Sequence, residues 1–554
     1  MLPPWPVGKT VRNNREIDAT MGDGSERRNG EKIAVLNPRG TPPPVTLVPM
    51  APRLESLTGK TICIVDVNFP DTESFYEAAQ SLLAERYPLT NWVVRGKSGS
   101  FFDEDPWFWA EIKEQADGVI VGPGHMDTLG PAVVGWCAKL EQMGVPAVPL
   151  ICAIFPDLEK QTALQRGMPY LRIVYIPYRV MRVSVSDCRL MLDGEDPVSG
   201  RPVLDEIVEG LMKAPTGEEK RSGILQRPVP RLLEPDSSEN LETRFLKSGW
   251  SDCLPIVLPT ERRVAEMLQG TSHEPDEIVG AMAPCSSQEA WTYTVEQVAV
   301  NAVMAGAKPR YFPVILALAA SGETSLWSSV TSQTRMAVVN GPIRRQIGMN
   351  SGMGALGPFN EANAVIGRSW TLVSKNLGNS GGLGTTYLGG LGNPMNYSNL
   401  CFAEDEEGLP RGWEPLHVEK GHGLAESVVS VFAGFGLTND GHMKPSPQHE
   451  TMRKMILKIE PFNFYRGVSL GLRATVLASP SVLGALVDEG FPTKESLKRW
   501  FRENLYKPQG DEKAEYPSET PVNIEIVAVG ERKLPGCVAG EMYYVKDVSV
   551  DGWR

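Results

Sequence analysis

Gly118-Val119-Ile120-Val121-Gly122-Pro123-Gly124-His125-Met126-Asp127-Thr128 is the stretch on which the fold turns. A short apolar run ends in a loop of two glycines and a proline, and the amphipathic segment 129–143 follows at once. Length and period make the run a buried strand and the segment a helix. The same unit recurs on either side. Apolar runs at 61–67, 92–95, 147–154 and 172–177 alternate with amphipathic segments at 71–86, 106–115 and 157–166. Such a βαβαβαβαβ series closes by right-handed crossovers into a doubly wound parallel sheet with helices on both faces.

Outward from this unit, the 554 residues suffice for two to four domains. The expected organisation is a disordered leader (1–30), the N-terminal α/β domain (31–213), a linker (214–240), a larger α/β or α+β C-terminal domain (241–505) and a β-containing tail (506–554). Residues 214–240 read as a linker because Pro, Glu, Lys, Arg and Ser dominate there and little could form a core. In the C-terminal domain, helical patterns at 261–268, 294–305, 361–375, 481–489 and 494–504 surround a glycine-dense centre at 341–392. Alternation at 523–529 and 541–550 predicts edge strands in the tail.

Composition narrows the function classes. A net charge of −12 without a basic cluster argues against nucleic acid as the partner, since binding it needs concentrated Lys and Arg. The longest apolar run, 312–320, is about half of what a bilayer crossing needs, and the first thirty residues hold no apolar signal-peptide core. A cytoplasmic homo-oligomer acting on a small molecule, with neither membrane nor nucleic-acid partner, is expected. The eight cysteines contain no C-x-x-C pair, which speaks against a disulfide framework or zinc ribbon.

In an open parallel sheet, ligands bind beyond the carboxyl ends of the strands. Two loops there hold candidate residues: Asn68 after the first strand, and Gly124, His125, Asp127 and Thr128 after the third. An imidazole, a carboxylate and a hydroxyl within four residues suit proton transfer; the simpler reading makes Asp127 or Thr128 a helix cap and His125 a solvated loop residue. In the second domain, Gly352-x-Gly354-x-x-Gly357 with Asn350 and Arg344 nearby suits anion binding by backbone amides, a structural loop being the alternative. Cys253 and Cys285 lie in loop-like settings where a thiol can act as a nucleophile, although most lone cysteines only fill space. His417, His422 and His442 are candidate metal ligands, but without the H-x-x-x-H spacing that sets two imidazoles on one helical face. No other cofactor is expected.

Longer stretches carry a resemblance. Ile33-Ala34-Val35-Leu36-Asn37-Pro38-Arg39-Gly40, Ala116-Asp117-Gly118-Val119-Ile120-Val121-Gly122 and Gly167-Met168-Pro169-Tyr170-Leu171-Arg172 resemble the UGSC-type (seleno)protein family. Trp250-Ser251-Asp252-Cys253-Leu254-Pro255, Val298-Ala299-Val300-Asn301-Ala302-Val303-Met304-Ala305-Gly306 and Trp413-Glu414-Pro415-Leu416-His417-Val418-Glu419 resemble a companion family often labelled thiol–disulfide oxidoreductase. The first resemblance implies a selenocysteine or cysteine, Gly, Ser, Cys signature at the end of the third strand and dithiol redox chemistry. The chain reads Met126-Asp127-Thr128-Leu129 there, and a thioether with an isobutyl group performs no thiol–disulfide exchange. Cys253 stands where the second resemblance leads one to expect glycine.

Three readings follow. The first is an enzyme acting on a small, polar, anionic substrate by acid/base or nucleophilic chemistry, as a lyase, hydratase or hydrolase. The second is a thiol–disulfide oxidoreductase using other cysteines, Cys253 with Cys285. The third is a binding protein without turnover.

Overall fold

The apolar runs of the first half become strands in the computed structural model, which describes residues 32–101, 103–438, 447–459, 464–465, 468–469, 472–505 and 522–554. They are β1 (Thr61–Asp66), β2 (Asn91–Gly96), β3 (Gly118–Gly124), β4 (Ala147–Cys152) and β5 (Val174–Ile176), all parallel, in the order β2-β1-β3-β4-β5. Helices α1 (Glu73–Arg86), α2 (Pro106–Gln115), α3 (Met126–Gln142) and α4 (Pro156–Gln165) alternate with them, and α5 (Val185–Leu192) and α6 (Val203–Met212) follow. Successive side chains of a strand face opposite ways. Ile62, Ile64 and Ile120 therefore join Phe75 of α1, Leu192 of α5 and Ile207 of α6 in one core. Cys63, Val65, Val119 and Val121 join Ile112 of α2 and Val133 of α3 in another. The sheet is doubly wound, as its sequence pattern requires.

The second half is built round a mixed six-stranded sheet of β6 (Thr334–Asn340), β7 (Leu400–Ala403), β8 (Val428–Thr438), β9 (Leu472–Ala478), β10 (Val522–Ala528) and β11 (Cys537–Ser549), in the order β7-β6-β8-β11-β9-β10. The chain as a whole is thus α/β, with the parallel sheet first and the larger mixed sheet after it. The tail differs from expectation in one strand. β10 is an edge strand, whereas β11 runs antiparallel to both β8 and β9 in the middle of the sheet, with Ala539 and Met542 buried. The expected leader at 1–30 lies outside the described residues.

Helices α7 (Ser238–Lys247), α8 (Val295–Ala305), α9 (Phe312–Ala320) and α10 (Glu361–Asn376) contribute to one large core of this half. Thr294 starts α8 with a capping box closed by Gln297, and Gly306, at φ 83°, ends it in the left-handed conformation that favours glycine. No helix among the described residues is long and apolar enough to cross a membrane.

Residues that precede the parallel sheet pack into this second core. Val35 and Leu36 are buried there, and bridges join Ile33 to Asp236 and Leu36 to Leu232. The stretch 214–240 also carries a strand, Gly223–Leu225, antiparallel to Val45–Leu47, and contributes Leu233 to the core.

Two buried asparagines tie these segments together. Asn301 Nδ2 of α8 donates to Pro38 O at 2.9 Å, and Gln297 Nε2, one turn earlier, donates to Arg39 O at 2.9 Å. Asn376 Nδ2 at the end of α10 donates to Asn301 Oδ1 at 2.8 Å and to Trp250 O at 2.9 Å, while Asn376 O accepts from Gly40 N at 3.0 Å. The segments around 39, 250 and 376 are thereby held side by side. An Asn301→Ala variant strips two buried partners of their hydrogen bonds, so it is expected to lose about 1–3 kcal/mol, read as a lowered urea midpoint at unchanged m-value.

Candidate functional site

The order β2-β1-β3-β4-β5 reverses direction between β1 and β3, which makes the loops after these strands the first place to look for a ligand. The candidate residues are indeed there, but most of their side chains are taken up by contacts with other parts of the protein. The His125 ring stacks on Phe69 at 4.6 Å and lies against Tyr178 at 4.9 Å. It is buried, and neither ring nitrogen has a hydrogen-bond partner. Burial pushes its pKa down to about 4, so it is neutral at physiological pH and has no carboxylate to orient it. One turn along α3, Glu159 of α4 approaches Gly130, where an added Cβ would come within 2.4 Å of Oε1. Burial raises this carboxyl to about 8, so it too is uncharged.

The other residues of this crevice serve packing. Asn68 Nδ2 donates to Lys97 O at 2.5 Å and to Gly99 O at 2.9 Å, tying the β1 loop to the β2 loop. A Cβ on Gly124 would meet Ile151 Cδ1 at 2.4 Å, so this glycine makes room for a neighbouring side chain. Neither Asp127 nor Thr128 caps α3, whose cap position is His125. Asp127 Oδ2 instead accepts from Val330 N of the second half at 2.9 Å, and the exposed Thr128 has only a 3.4 Å bond to Asp127.

The glycine motif of the second half is likewise closed on itself. Asn350 Oδ1 accepts from Gly352 N, Asn350 Nδ2 donates to Met353 O, and a Cβ on Gly354, at φ 72°, would meet Phe359 at 2.9 Å. Arg344 is buried between Glu406 at 2.6 Å and Glu407 at 2.5 Å, two carboxylates that already meet its charge. His422 is bound by Glu426 and Asp547, each at 3.1 Å, and His417 is fully buried. His442 lies outside the described residues, and among those described no group of three or more His, Cys, Asp or Glu is placed to hold a metal ion. Cys285 is half-buried with its sulfur 3.1 Å from Ser287 Oγ.

Cys253 is different. It is the one exposed cysteine of the eight, and it lines a cavity of about 1000 Å³ in the second half. Its backbone has φ 67°, a conformation that costs an L-residue roughly 1–2 kcal/mol relative to glycine. Arg39, Trp250, Asp252, Lys375, Asn376 and Asn379 share the cavity wall, gathered there by the asparagine pair. Asp252 is neutralised by a bidentate bridge to Arg368, at 2.7 and 3.0 Å. Arg39 and Lys375, by contrast, have no carboxylate partner among the described residues. The Arg39 guanidinium lies over the Trp250 ring at 5.4 Å. Lys375 Nζ reaches only Gly381 O, at 3.3 Å, and its stem passes where a Cβ on Gly381 would come within 2.3 Å. Burial lowers the pKa of Lys375, with Cys253 and Asp252 nearby opposing that shift.

Of the described residues singled out from sequence, the cavity thus gathers Cys253 and leaves the others elsewhere. Arg39, Lys375 and Asn379 escaped notice because a single Arg, Lys or Asn carries no local pattern; the signals available were the Trp250–Pro255 motif and the glycine-dense stretch containing Gly381.

Compared with known proteins, residues 34–190 match the UGSC family. That span covers the five parallel strands and also includes Arg39, so the matched region lends a side chain to a cavity built mainly by the second half. No curated protein and no solved structure matches the chain.

The pKa of His125 gives a test of its packing. A ring whose folded pKa is depressed leaves the folded state short of protons relative to the unfolded chain, so stability falls as pH drops from about 6.5 to about 4. A His125→Phe variant is expected to flatten that part of the Tm-against-pH curve, as read by thermal denaturation across the window.

Proposed function

We propose that this chain is an enzyme that holds a small, polar anion in the 1000 Å³ cavity and transforms it by nucleophilic or acid/base chemistry, as a lyase, hydratase or hydrolase. One observation carries the reading: an exposed thiol and two cations without carboxylate partners line one cavity of a chain whose net charge is −12. An anionic substrate supplies the missing counter-charge, since a half-buried cation without a partner is costly and a charge-assisted hydrogen bond is stronger than a neutral one. Arg39, over the Trp250 ring, is assigned to bind it through two parallel bonds to a carboxylate. Cys253 Sγ and Lys375 Nζ are the groups assigned to attack or to move a proton.

This reading gives His125 and Asp127 no part in the chemistry and makes them packing and inter-domain contacts. Support for the oxidoreductase alternative is weaker, because Cys285 neither pairs with Cys253 nor lines the cavity. The kinship of residues 241–505 with the companion family rests on resemblance alone. A cytoplasmic, homo-oligomeric protein with neither nucleic-acid nor membrane partner remains part of the proposal.

Calorimetric titration with small mono- and dicarboxylates is expected to show binding that Arg39→Ala weakens by about tenfold or more. In a turnover screen on the acids that bind, Cys253→Gly is expected to abolish activity while Tm holds or rises, because glycine relieves the left-handed backbone. Failure of every acid to bind refutes the proposal.

A further inference from the structure

Three features of the cavity concern Lys375 itself. Among the described residues its amine makes no ion pair, Asp252 acting on it only from a distance, whereas the buried Lys494 and the half-buried Lys498 each bridge two carboxylates. Its stem packs on Gly381, where an added Cβ would come within 2.3 Å of Cγ, and its side chain lines the cavity. The next residue, Asn376, is held by Trp250 O and Gly40 N, which ties the segment carrying Arg39 to the end of α10, and Arg39 and Lys375 line the same cavity. An amine without a bridging carboxylate that shares a cavity with an anion-binding guanidinium is arranged for covalent capture of a carbonyl compound that carries a carboxylate.

We infer that Lys375 forms an imine with small 2-oxo acids, with Arg39 holding the carboxylate. The inference rests on the anion-binding reading above and specifies its substrate class. The step balances without any oxidant or reductant. Neutral Nζ attacks the carbonyl carbon, the carbonyl electron pair moves to oxygen, and the carbinolamine loses that oxygen as water together with both amine protons, leaving C=N. Once protonated, the imine is an electron sink that lets a bond at the neighbouring carbon break, which is lyase chemistry. The depressed pKa of Lys375 supports the step by raising the share of neutral amine. Cys253, on the same wall, is placed to carry the proton.

The test uses the full chain at neutral pH with glyoxylate, pyruvate and 2-oxoglutarate in turn, each with sodium cyanoborohydride, followed by peptide mass spectrometry. Lys375 is expected to carry the reduced adduct at an occupancy about tenfold or more above that of any other lysine. Arg39→Ala should suppress labelling by these acids but not by a neutral aldehyde such as propanal, which shows that the variant still presents a reactive amine. Labelling of Lys375 no greater than that of surface lysines with all three acids overturns the inference. If carboxylates then still bind by calorimetry in an Arg39-dependent way, the imine alone falls; if none binds, the parent proposal falls with it.

Discussion

Everything around the cavity depends on a pair of buried amides. Asn376 Nδ2 donates to Asn301 Oδ1, and the two amides reach out to Trp250 O and Pro38 O, so chain segments far apart in sequence are fixed at hydrogen-bond distance, with Asn376 Oδ1 the one amide atom of the pair left without a partner among the described residues. Buried polar groups are mostly partnered, and directional bonds such as these favour one arrangement of their neighbours. Here that arrangement sets Arg39, Trp250 and Lys375 on one wall. A hydrophobic core alone, being non-directional, would leave their relative positions undetermined.

The two halves of the molecule make opposite use of charge. At the carboxyl ends of the parallel strands, where doubly wound folds commonly bind ligands, burial pushes two titratable groups toward their neutral forms: His125 sits between two aromatic rings and Glu159 against a helix. In the second half, the glycine-dense stretch opens a cavity whose cations lack counter-charges. The same low-polarity surroundings that silence an imidazole make a guanidinium and an ammonium demand an anion. Because residues 34–190 include both the parallel sheet and Arg39, the region that matches the UGSC family takes part in both halves.

Period and length served well for elements. The helices expected at 261–268 and 494–504 form at Glu261–Leu268 and Lys494–Asn504, and the five strands of the first sheet lie within two residues of the expected runs at every end. Side-chain roles were less legible. Arg344 looks free in sequence beside a glycine motif, yet Glu406 and Glu407 fold back onto it from some sixty residues away. Gly124 looks like a point of ligand approach and is instead filled by Ile151. The tail strand β11 alternates like an edge strand but is inserted between β8 and β9.

By itself, then, the order of residues determined the alternation of strand and helix, the parallel sheet and the absence of a thiol at Met126–Leu129, because these follow from local periodicity and side-chain identity. Only the tertiary structure decided which cations go unpaired and which glycines are cradles, because pairing and free space are set by residues brought together from distant parts of the chain. Cys253 shows the division in one residue: its thiol was visible from the outset, while its exposure, its left-handed backbone and its place beside Lys375 came from packing.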